Sequence, residues 1–192
     1  ERRVDRVREE ALGEILRVVR FGVPAKADVL VDGFPVRAGN GVVIDRGLVL
    51  TIGYLITEAE SVWLHRGDGR VVQGHALGFD FESGFGLVQA LGDLDLEPLP
   101  LGSSAAAKVG DRVVLGGAGG RTRSVASLIA AKQEFAGYWE YLLNEAIFTH
   151  PAHPNWGGTG LISNQGELIG IGSLQLERER ELTEYARRIE SR

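Results

Sequence analysis

The sequence predicts an all-β fold, a barrel or sandwich of short strands, and two observations carry that prediction. Short apolar runs recur through the middle of the chain, and each is closed by a turn of Gly, Asp or Asn. Glycine occurs 27 times in 192 residues, about twice the usual ~7%, as expected where many short strands need tight turns.

Taken in order, Glu1 to Arg20 places Ala11, Leu12, Ile15, Leu16 and Val19 on one face among arginines and carboxylates, a helical period. Strand-like runs follow at Val42 to Ile44, Leu48 to Leu50, Val71 to Leu77 and Gly86 to Val88. The Asp93 to Gly102 segment, with Pro98 and Pro100, reads as a link. Beyond it come runs at Val113 to Leu115, Ser124 to Ala131 and Leu168 to Leu174. Glu177 to Arg192 returns to a helical period through Leu182, Tyr185, Ala186 and Ile189. Acids and bases alternate in both end segments, which fits helices packed on protein rather than on a membrane surface. There is no internal repeat and no low-complexity tract.

Composition excludes several classes. With 44% hydrophobic and 24% charged residues the chain is long enough for one large domain or two small barrels. No stretch approaches the ~18 consecutive apolar residues of a membrane span. A net charge of -5 and a pI near 5.4 argue against a nucleic-acid surface. Without cysteine there are no disulfides or thiolate metal sites, and the redox compartment stays open. Without methionine, Glu1 is not a natural start, which leaves room for a targeting segment ahead of it.

The motifs are more specific. Asn155-Trp156-Gly157-Gly158-Thr159-Gly160-Leu161-Ile162 precedes Gly166-Glu167-Leu168-Ile169-Gly170-Ile171. Earlier, Asn40-Gly41-Val42-Val43-Ile44-Asp45 leads through Leu48-Val49-Leu50-Thr51 to Ile52-Gly53-Tyr54-Leu55-Ile56. Between them lie Asp68-Gly69-Arg70, Gly78-Phe79-Asp80, Gly84-Phe85-Gly86-Leu87-Val88, Leu99-Pro100-Leu101-Gly102-Ser103-Ser104 and Val109-Gly110-Asp111-Arg112-Val113. In this order, from roughly Gly41 to Leu174, they resemble trypsin-like serine proteases of the HtrA/Deg type. The resemblance implies two chymotrypsin-like antiparallel β-barrels, at 21–95 and 96–176, and the helical period of the ends adds an N-terminal helix at 1–20 and a C-terminal helix at 177–192.

The resemblance also fixes where a catalytic triad would stand. Tyr54 occupies the histidine position and Gly84 the aspartate position. Aligned through the later strand without a gap, Gly157 takes the serine's place; aligned through Asn155 and Gly157-Gly158, Trp156 does. In such enzymes the serine attacks, the histidine takes its proton and the aspartate orients the imidazole. A tyrosine with an ordinary pKa of ~10 is a poor base at neutral pH, and neither glycine nor tryptophan is a nucleophile. The expectation is therefore no enzyme: a degenerate protease homologue, a pseudoprotease without catalytic residues, that binds peptide or protein or serves as a scaffold. Asn155, Trp156, Gly157, Gly158 and Thr159 are the candidate binding residues. Trp156 is expected to be buried beside the cleft, blocking it.

Two alternatives stand beside this reading. One is an active hydrolase with a nonstandard nucleophile such as Thr159 or Ser163; the other is a regulatory subunit of an active protease assembly. No cofactor is expected. His150 and His153 have helical metal-ligand spacing but fall in a loop of the family with no third ligand evident, so no metal is expected either. The partners implied are a peptide or protein, no nucleic acid, no transmembrane segment, and a homo-oligomer as the family's usual assembly. The resemblance points to the cell envelope or periplasm.

Overall fold

The computed structural model describes residues 15–22, 29–31, 34–136 and 142–175. They build two antiparallel sheets. The first comprises β1 (Ile15–Gly22), β2 (Val29–Val31), β3 (Phe34–Asp45), β4 (Leu48–Ile52), β5 (Ala59–His65), β6 (Val71–Phe79) and β7 (Phe85–Ala90). The second comprises β8 (Arg112–Gly116), β9 (Ser124–Ala136), β10 (Leu142–His150), β11 (Gly160–Ile162) and β12 (Leu168–Ile171).

The first sheet runs β1-β5-β6-β7-β4-β3-β2, and an additional β1–β3 pairing closes it. The register of that closure runs from Ile15 opposite Val42 to Phe21 opposite Val36. Closure satisfies both edges of β1, since its other side pairs with β5 from Arg17 opposite His65 to Gly22 opposite Ala59. Tight turns set the hairpins: Asp45 pairs with Leu48 across Arg46-Gly47, where Gly47 takes a φ of +71°.

Val18, Val43, Val49, Val62, Leu64 and Val88 fill the interior of this barrel. Each such side chain contributes about 1.5–3 kcal/mol by leaving water. The second sheet, in the order β10-β9-β8-β11-β12, packs its own core of Val113, Leu115, Ile129, Leu161 and Ile169. A third cluster joins the two: Ile15 and Val42 meet Leu99, Val114, Ile162 and Leu168. The two sheets thus share one apolar seam, and loops from both converge beside it.

One expectation is corrected here. Ile15 to Arg20, read as the end of a helix, is the first six residues of β1. Ile15, Val18, Val19 and Phe21 are β-branched or aromatic, and ladders on both sides outweigh a helical period that had no partner face. The rest of the expected N-terminal helix and the expected C-terminal helix at 177–192 lie outside the described residues. Of the strands, β2, β5 and β10 were absent from the sequence reading; β2 is only three residues long, and Glu60, His65, Asn144 and Glu145 interrupt the apolar runs of the other two.

Candidate functional site

The site loop is held from the first barrel by Asn40 of β3. Its backbone N–H and its Nδ2 both donate to the carbonyl of Gly157, at 2.8 and 3.0 Å. Nδ2 also donates to the Asn155 carbonyl at 2.8 Å, while Oδ1 accepts from the Ala118 N–H at 2.8 Å. The Asn40 carbonyl in turn accepts from the buried Thr51 hydroxyl at 2.6 Å. A buried amide with every polar atom engaged is a rigid strut, since any change leaves backbone groups unpaired.

The loop closes on itself beyond that strut. Thr159 donates through both N–H and Oγ1 to the Trp156 carbonyl, at 3.0 and 2.8 Å. Gly158 N–H donates to Gly172 and Gly172 N–H to Thr159, at 2.8 and 2.7 Å. Gly158 has a φ of +78°, and a Cβ there would lie 1.9 Å from the Asn40 carbonyl oxygen, so only glycine fits.

Tyr54 sits on a single 3-10 turn, Gly53–Leu55, after β4. Arg37 Nη1 donates to its carbonyl at 2.8 Å, and its own hydroxyl crosses to the second sheet to donate to the Ser173 carbonyl at 2.9 Å. A Cβ built on Gly157 would lie 2.6 Å from Tyr54 Oη. Gly84, buried, accepts from the Gly53 N–H at 2.7 Å and has a φ of +77°. Tyr54, Gly84 and Gly157 are therefore brought together, with Gly157 rather than Trp156 facing Tyr54. The turn leading to Gly84 is ordered by Asp80, whose carboxyl is held below its ordinary value by the Ser83 hydroxyl and then by the Glu82 and Ser83 amides.

Beside these residues opens a cleft of about 380 Å³. Phe135, Ile147, Phe148, Leu161 and Ile169 line it, and Ser173, Leu174 and Gln175 run along one side. Phe85 and Trp156 at 37% exposure and Leu174 at 38% border it. Trp156 thus departs from the expected plug. The indole is one of the residues lining the cleft and stays partly exposed, so it forms a wall.

Of the remaining candidates, Ser163 lies away from the cleft, while His150 and His153 are among its lining residues. Ser163 Oγ accepts the amides of Gln165 and Glu167 in the β11–β12 turn. His153 is buried; its Nδ1 accepts the Asn155 N–H at 3.0 Å, which leaves Nε2 to donate to the Arg123 carbonyl at 2.6 Å. Both ring nitrogens are used structurally, and His150 lies at the end of β10 along the cleft. Sequence reasoning missed Asn40 and Ser173 as site residues. A lone asparagine before an apolar run was a signal for the first; nothing marked Ser173, whose buried Oγ has no hydrogen-bond partner among the described residues.

Two packed antiparallel sheets, one closed and one curled, with loops meeting at their seam, define the chymotrypsin-like double barrel. Residues 39–171 match the family model described as trypsin-like peptidase domain. The chain belongs to that family. It is 30% identical over 143 residues to the periplasmic serine endoprotease DegP of Salmonella typhimurium, covering 70% of this chain and 29% of DegP. It is 31% identical over 140 residues to the periplasmic pH-dependent serine endoprotease DegQ of Escherichia coli, covering 70% and 30%. The chain thus spans less than a third of the length of these relatives. The HtrA-type protease AlgW, solved with a tripeptide, superposes with a TM-score of 0.70 at 18% identity, covering 88% of this chain and 53% of that one. AlgW with a decapeptide gives 0.70 at 16%, covering 98% and 67%.

These findings correct the expectation that the chain is no enzyme. Its family is one of peptidases and its relatives are named serine endoproteases, so membership points to a protease. Reading activity from three side chains gave the triad positions more weight than the fold that carries them. Among the described residues no helix is long and apolar enough to cross a membrane.

Proposed function

We propose that this domain captures an extended peptide or protein segment in the cleft between its sheets, as the binding or scaffolding part of an HtrA-type assembly. The observation that carries the reading is the half-open indole of Trp156 at the border of an apolar cleft, beside the segment Ser173 to Gln175 that continues edge strand β12. An extended segment can add to such an edge by main-chain hydrogen bonds while an aromatic wall takes one of its side chains. The peptides present in the similar AlgW structures support the class of ligand. A periplasmic or envelope location and a homo-oligomeric state are proposed on the same family grounds.

The test is a fluorescence titration with a panel of apolar decapeptides. A binder is expected to shield Trp156 from acrylamide, and Trp156→Ala to weaken binding by roughly tenfold. Unchanged quenching across the panel would sink the reading.

Hydrolysis is the second reading, and family membership favours it. A hydroxyl would have to come from near Gly157 rather than from that residue. Thr159 Oγ1 is tied to the Trp156 carbonyl, whereas Ser173, a residue of the cleft lining, has a buried Oγ with no hydrogen-bond partner among the described residues. Mass analysis of the incubated peptides supports this reading if cleavage appears and is lost in Ser173→Ala or Thr159→Ala.

A further inference from the structure

We propose that Tyr54 is a built-in competitor of the bound peptide: its hydroxyl occupies the Ser173 carbonyl and fills the space over Gly157, so a ligand must displace it to pair with that edge. The inference rests on the cleft reading above and concerns its regulation.

The geometry runs through three contacts. Ser173 follows β12, the edge strand of its sheet. Near its start that strand is covered, since the Leu168 N–H donates to Pro100 and the Gly102 N–H to Leu168, at 2.8 and 2.9 Å. Its continuation past Ile171 borders the cleft instead, and there Tyr54 Oη donates to the Ser173 carbonyl at 2.9 Å. An added strand needs main-chain acceptors of this kind. The tyrosine reaches across from the first barrel to take one, and Arg37 fixes its backbone from behind.

The same hydroxyl explains the glycine beneath it. A Cβ on Gly157 would lie 2.6 Å from Oη but 3.6 Å from Cζ, an ordinary contact. Of the atoms around it, only the oxygen crowds a Cβ at 157. Tyr54 and Gly157 are therefore a matched pair beside the Ser173 carbonyl, at the margin of the cleft.

Two measurements test this on the full chain. In the first, apolar decapeptides are titrated into the parent, Tyr54→Phe and Tyr54→Ala. Tyr54→Phe keeps the ring and loses the competing donor, and is expected to bind roughly three- to tenfold more tightly, the worth of one net hydrogen bond. In the second, Gly157→Ala is made in the parent and in Tyr54→Phe. Melting is expected to fall by several degrees in the parent and by less than half as much in the phenylalanine background, a coupling that reports the contact of the hydroxyl with residue 157. Equal or weaker binding by Tyr54→Phe, with the parent binding, overturns the competitor and leaves the cleft reading standing. Binding by none of the three overturns both. Equal cost of Gly157→Ala in both backgrounds overturns the placement of the hydroxyl, and with it the proposal.

Discussion

Asn40 and Gly157, 117 positions apart, meet through two hydrogen bonds to one carbonyl, one from the main chain and one from the side chain of Asn40. A single residue of the first barrel thereby sets the height of the site loop on the second. Asn40→Ala should cost about 2–4 kcal/mol, because it strands the Ala118 N–H and removes the side-chain donor to the Asn155 and Gly157 carbonyls. Asn40→Asp, which keeps the acceptor for Ala118 but turns a carboxylate on two carbonyls, should be no milder. Urea unfolding followed by circular dichroism measures both; a cost below 1 kcal/mol for the alanine variant would mean the loop is held elsewhere.

Gly158→Ala tests the backbone of the same loop. The φ of +78° and the 1.9 Å approach to the Asn40 carbonyl together predict a loss of about 3 kcal/mol or more. Thermal unfolding near the parent value would show that the loop relaxes without effort.

His153 joins the Arg123 carbonyl to the Asn155 amide. His153→Ala should cost about 2–4 kcal/mol by stranding both groups and opening a void. His153→Gln, with one donor and one acceptor, should recover part of that. If the glutamine variant is no better than alanine in denaturant titrations, the two hydrogen bonds are not what the ring contributes.

Acid should loosen the turn before Gly84. The Asp80 carboxyl is held below its ordinary 3.8 by the Ser83 hydroxyl and two amides. A group with a depressed folded value stabilises above its unfolded value and loses that contribution as pH falls through the folded one. Stability should therefore decline from about pH 3.8 downward, and Asp80→Asn should flatten that part of the curve. A variant whose acid limb overlays the parent would assign the decline to other carboxylates.

Much of the fold was legible because turns and apolar runs are local signals. The hairpin at Arg46-Gly47 and the strands around Val43, Val49 and Val88 follow from period and glycine alone. β1 was not legible: Ile15 to Val19 fits a helical face as well as a strand, and only pairing with β3 and β5 decides between them. At the site, motif order placed Tyr54, Gly84 and Gly157, and the structure gathers all three. The exposure of the Trp156 side chain was hidden, since it depends on how the loop is seated against the cleft rather than on the size of the indole. Ser173 was hidden for a related reason, as an ordinary serine acquires meaning only when a tyrosine from the other barrel reaches its carbonyl.

The closed ring of the first sheet and the open row of the second differ in how they yield. Freeing β1, β4, β5, β6, β7 or β3 from the ring means breaking ladders on two sides, whereas among the described residues β10 can peel away by losing one, and β12 by losing one and its two bonds with Pro100 and Gly102. Amide hydrogens of the ring should then exchange with solvent mainly through global opening, and those of β10 and β12 through local opening at far lower cost. The cleft is thus framed by one unyielding wall and one compliant wall, and a ligand that needs more room obtains it by moving the second.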